Sequence, residues 1–120
     1  IDEAKSLAGT DAEARRSIAA VYANVGIFYA KKKNYEMGAT LFKRALKLTP
    51  KDPDLTKTLS TLLANAAVTY LNKGNASKAM TLAKESLLHN PANGGARQVM
   101  DALKRPAAKP RASSTTRPSG

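Results

Sequence analysis

The stretch Tyr22-Ala23-Asn24-Val25-Gly26-Ile27-Phe28-Tyr29, followed by Gly38, Phe42, Ala45 and Pro50, decides how this chain folds. Ile18, Tyr22, Val25 and Tyr29 recur at steps of four, three and four residues, the spacing of one apolar stripe on a helix. Upstream, Thr10 and Glu13 have the spacing of a capping box, so a helix is expected from about Asp11 to Lys33. Asn34 is a good N-cap for a second helix, whose inner face would carry Met37, Leu41, Phe42, Ala45 and Leu48. That helix must end near Pro50, because the residue before a proline is driven out of helical geometry. Two helices joined by so short a turn form an antiparallel hairpin.

The pattern recurs downstream. Asp52 followed by Pro53 marks a helix start, since proline at the first helical position loses no hydrogen bond. The third helix carries Leu55, Leu59, Leu62, Leu63, Ala66, Ala67 and Tyr70, and Gly74 ends it. Asn75 caps a fourth helix with Ala79, Leu82, Ala83, Leu87 and Leu88 inside, which stops before Pro91. Tyr29 to Tyr70 and Pro50 to Pro91 are each separated by 41 residues (70 − 29 and 91 − 50), and Asn24 and Asn65 share that offset. An internal period of this size marks a solenoid, in which each hairpin buries its apolar face on the next. Asn93 caps a fifth helix, Gly94 to Lys104, presenting Val99, Met100 and Leu103. Before the hairpins, Ile1 to Ala8 reads as a short helix stopped by Gly9, the remnant of a preceding repeat. After them, Pro106, Pro110 and Pro118 with Ser113, Ser114, Thr115 and Thr116 predict disorder. The expected plan is all-α: a short helix over 1–9, hairpins over 10–51 and 52–92, a capping helix over 93–104 and a basic tail over 105–120.

The first hairpin resembles the tetratricopeptide repeat family, whose motif has an aromatic, Leu, Gly and Tyr on one helix, then small, aromatic, Ala and Pro residues on the other. Tyr22, Val25, Gly26 and Tyr29 match the first half, and Gly38, Phe42, Ala45 and Pro50 the second. The second copy is weaker, with Leu63, Ala66, Ala67, Tyr70, Ala79, Ala83, Ser86 and Pro91 at corresponding places. The family's repeat is about 34 residues. The longer spacing here implies about two extra turns, most simply in a third helix that begins at Pro53.

The resemblance implies a non-catalytic module with a concave groove, lined by the first helix of each repeat, that receives a peptide or a partner's helix. By helix phase the candidate contacts are Ala20, Ala23, Asn24, Ile27 and Lys31 on the first helix and Thr61, Ala64, Asn65, Val68 and Asn72 on the third. Small and apolar side chains with a few amides suit a laid-in segment, whose backbone the amides can bond. Equally, Asn24 and Asn65 can be solvated or bonded within their own repeat. Some relatives clamp the acidic C-terminus of chaperones with fixed lysines and arginines, but here Ala23, Ile27, Gly95 and Val99 occupy those places. A carboxylate clamp is therefore not expected, since a bidentate anion site needs fixed donors.

Charge opens a second reading. Lys and Arg outnumber Asp and Glu 20 to 9, a net charge of +11. Lys104, Arg105, Lys109, Arg111 and Arg117 stand in a stretch with no acid, and such a tail could tether nucleic acid or an anionic membrane with a steep salt dependence. It has no aromatic residue to stack on a base, and a plain linker is the competing reading. Lys31, Lys32 and Lys33 could join Lys43, Arg44 and Lys47 in a patch, although lysines at a helix C-terminus also serve its dipole.

No catalytic reading is supported. The lone His89 lies near a helix end, Asp52 and Asp54 suit a helix start better than a metal pair, and there is no phosphate-binding glycine loop or nucleophile motif. No cofactor, metal or small-molecule substrate is expected. The expected partner is another protein, with self-association through an open repeat end as a variant. With no cysteine and no apolar run long enough for a bilayer, the chain reads as soluble, its compartment undetermined with the cytoplasm favoured.

Overall fold

A computed structural model describes residues 2–104 of the chain, with side chains from Asp11 onward. Ile1, the short helix's first residue, and the tail cations Arg105, Lys109, Arg111 and Arg117, with the expected disorder there, lie outside the described residues. Five helices follow in order: α1 Asp2–Lys31, α2 Tyr35–Leu48, α3 Pro53–Asn72, α4 Ala76–His89 and α5 Gly94–Lys104.

The local signals act where the sequence puts them. The side chain of Asn34 accepts from the Met37 amide at 3.2 Å, and that of Asn75 accepts from the Lys78 amide at 3.1 Å. Asp52 accepts from the amides of Asp54 and Leu55 ahead of Pro53, and Asn93 from that of Ala96. The α1–α2 turn closes with Asn34 N–H donating to the Tyr29 carbonyl, and the α3–α4 turn with Asn75 N–H donating to that of Tyr70, both at 2.9 Å. Each turn needs one left-handed residue, supplied by Lys33 at φ 66° in the first and Gly74 at φ 83° in the second. The 41-residue offset (74 − 33) thus holds in backbone geometry as well as in composition.

Close approach holds the first hairpin together. A Cβ on Gly38 would sit 2.9 Å from the Gly26 carbonyl oxygen, and one on Gly26 would sit 2.8 Å from the Phe42 ring. Only glycine lets α1 and α2 cross this tightly, with Phe42 buried against Gly26. In the second hairpin Ala83 stands at the place of the ring, and two hydroxyls are buried where the first hairpin has Ala19 and Ala45. Ser60 Oγ donates to the Ser86 carbonyl at 2.8 Å and Ser86 Oγ donates back to that of Ser60 at 2.7 Å, both fully buried. Asn93, the α5 cap, donates to Ser60 Oγ and ties the fifth helix to the pair. The main core lies between α2, α3, α4 and α5, around Phe42, Leu59, Leu63, Ala67, Leu82, Ala83 and Val99. At 20 residues against 14 for α2 and α4, α3 holds the extra length that the long spacing requires.

Three expectations need correction. The first helix runs unbroken through Gly9 and Thr10, so neither a stop nor a cap forms there. A helical glycine costs only about 1 kcal/mol, less than breaking and recapping a helix. The inward face of α1 is Ala19 and Gly26 with Ala23 and Ala30, rotated from the expected stripe, and Ile18 and Val25 are 49% and 40% exposed. Small residues face α2 because its crossing is so tight, which turns the larger ones outward. Met37 and Leu88, expected inside, are also exposed, each on the rim of its helix.

Candidate functional site

By helix phase α1 and α3 each present an equivalent sector free of other helices. On α1 it holds Ala20, Asn24, Ile27 and Lys31, all exposed, with Ala23 half-buried at its edge. On α3 it holds Thr61, Val68 and Asn72, exposed, with Asn65 half-buried. Ile27 and Val68, 41 positions apart, are 42% and 39% exposed. α1 packs on α2 and hardly touches α3, whereas α3 packs on α2, α4 and α5. Ala64 does not belong to this surface. It is 4% exposed, and α5 comes close enough that a Cβ on Gly95 would lie 3.7 Å from the Ala64 methyl. The same packing takes up Val99, which is buried against the core.

Two polar clusters join α2 to the second hairpin. Near the α1–α2 turn, Tyr70 Oη donates to Glu36 at 2.6 Å, and Lys78 meets the other carboxylate oxygen at 3.0 Å. The ammonium groups of Lys73 and Lys78 both lie over the Tyr70 ring. The tyrosine hydroxyl, and then Lys78, hold the Glu36 carboxyl below its ordinary range, and Glu36 in turn raises both Tyr70 and Lys78. This triad ties the start of α2 to α3 and α4. At the far end, Lys43 pairs with Glu85, and Lys43, Lys47 and His89 border a shallow cleft with Leu46, Leu59 and Leu88.

The six-cation patch is not assembled. Lys31, Lys32 and Lys33 precede α2, Lys47 lies in its last turn, and Lys43 is engaged by Glu85. Asp52 spends its carboxylate on capping α3. Among the described residues there is no cluster of metal-ligating side chains and no helix long and apolar enough to cross a membrane.

The tight glycine crossing, the buried Phe42 and the capped turn are the hairpin geometry that the motif encodes, and the model of the tetratricopeptide repeat matches residues 19–52. Residues 19–52 are a tetratricopeptide repeat. Repeats of this kind are typically non-catalytic and imply protein partners in general. The match stops before α3, and on α4 Ala83 and Ser86 stand 41 positions after Phe42 and Ala45 of the matched repeat. The five helices pack as sequential hairpins in a short array of this type. No curated protein matches the chain.

One exposed feature escapes the sequence reading. Ile18, Val21, Val25 and Phe28 form a row along the back of α1, from 40% to 60% exposed. The signal was available in the alternative row of small residues, Ala12, Ala19, Ala23, Gly26 and Ala30, which competes with the large ones for the inward face.

Proposed function

We propose that the chain binds another protein, taking a helix or an extended segment across the free sectors of α1 and α3, and that it catalyses nothing. The observation that carries this reading is the matched pair Ile27 and Val68, exposed at equivalent places and flanked by Asn24, Asn65, Asn72 and Thr61. Apolar residues supply the affinity for a laid-in segment, and amides satisfy its backbone groups where water is displaced. Ala20, Ala23 and Lys31 complete the α1 wall. The buried Ala64 sets the limit of the α3 wall at α5.

Ile27→Glu combined with Val68→Glu tests it. Both sites are partly exposed, so helicity and melting should change little while capture of the partner drops at least about tenfold, or 1.4 kcal/mol. A folded double variant that captures as well as the parent chain removes the groove from the account.

The basic run from Lys104 to Arg117 supports a second reading, an electrostatic tether to nucleic acid or an anionic surface. With five cations and no acid it would release counterions on binding, so its affinity would fall steeply with salt.

A further inference from the structure

We infer that the back of α1 is a homodimer interface at which two copies of the chain pair through this helix, antiparallel. The face is built to be covered. At the 41-residue offset, Ile18, Val21, Tyr22 and Val25 correspond to Leu59, Leu62, Leu63 and Ala66 of α3, which are 0%, 5%, 1% and 2% exposed. On α3 those residues are part of the core shared with α2. On α1 the same sector carries Ile18, Val21, Val25 and Phe28 in the open, with the Lys32 ammonium over the Phe28 ring and the Tyr29 ring edge-on to it. Four large apolar side chains in one row are more than scattered surface residues account for.

The occupant follows from the symmetry and charge of the face. The segment 105–120 contains no Leu, Ile, Val, Met, Phe or Tyr and cannot supply an apolar cover. Head-to-tail stacking fails at the other end, where α5 turns Arg97, Gln98 and Asp101 to solvent. A second α1 fits. The row is symmetric about position 23, so an antiparallel two-fold there sets Ile18 against Phe28 and Val21 against Val25 of the second copy. In antiparallel helices like flanks meet. Glu13, Ser17, Asn24 and Lys31 share one flank, all exposed, and the two-fold brings Lys31 of one copy beside Glu13 of the other, twice per dimer. Neither Glu13 nor Lys31 is in an ion pair with a described residue of its own chain. Lys32 likewise falls within about a turn of Asp11.

Sedimentation velocity of the full 120-residue chain across a concentration series, beside circular dichroism, tests this. The expected result is a monomer–dimer equilibrium. Val21→Glu with Val25→Glu should weaken it roughly hundredfold or more by burying charges without partners, at unchanged helicity. Lys31→Glu and Glu13→Lys should each weaken it several-fold, and the two together should restore it, a rescue that a merely apolar contact would not give. A chain that stays monomeric throughout overturns the proposal, as does a dimer indifferent to the paired glutamates. A dimer that responds to them but not to the charge swap overturns the antiparallel arrangement. Lys31 also borders the groove, whereas Val21 and Val25 do not, so the paired glutamates at 21 and 25 separate the dimer from the groove.

Discussion

Two glycines and one lysine carry much of the geometry at the scale of single residues. Gly38 meets the Gly26 carbonyl so closely that an added methyl must push backbone, not a flexible side chain. Gly38→Ala should therefore destabilise by about 1–3 kcal/mol despite the better helix propensity of alanine, read as a lower denaturation midpoint. Lys33 has the opposite defect. It holds the left-handed conformation that Gly74 holds in the second turn, so Lys33→Gly should stabilise by up to about 1 kcal/mol. The Glu36 triad predicts a pH response. Because Tyr70 and Lys78 lower the folded carboxyl, its contribution is complete above the ordinary glutamate value of about 4.3 and is lost as pH falls through the lower folded value. Tyr70 and Lys78 are raised, so their share is lost as pH climbs through their folded values. Denaturant titrations at neutral and acid pH should show the parent chain losing more stability on acidification than Glu36→Gln does.

Helices show both the reach and the limit of the sequence. α2, α3, α4 and α5 begin at the caps their residues announce, because a cap is a contact within three residues of chain. The phase of α1 was not legible in the same way. Which side faces inward depends on how close α2 comes, and that is set by Gly26 against Gly38 and Phe42, contacts between helices that apolar periodicity does not report. Among the candidate groove residues Ala64 is buried, since the cover there comes from α5, a helix outside either hairpin. The serine pair was also invisible, because Ser60 and Ser86 look polar until both are buried together. Ser60→Ala strips the hydroxyl from the Ser86 carbonyl and from Asn93, and should cost about 1–3 kcal/mol. Ser60→Ala and Ser86→Ala combined should cost less than the separate losses added, which a double-mutant cycle in denaturant measures.

At the scale of the whole molecule the array has unlike ends. α5 closes one with a polar face, and α1 leaves the other apolar. Hairpins stacked in this way expose one row from each first helix, so the proposed binding belongs to the array and not to a single pocket. The central claim is that the hairpins, not the cationic run after Lys104, hold the partner. It is tested most directly by comparing partner capture by the full chain and by a chain ending at Lys104, each washed at low and at high salt and identified by mass spectrometry. The account predicts that one protein survives both truncation and salt. Capture that disappears with the tail or with salt contradicts it and makes the helices a passive support.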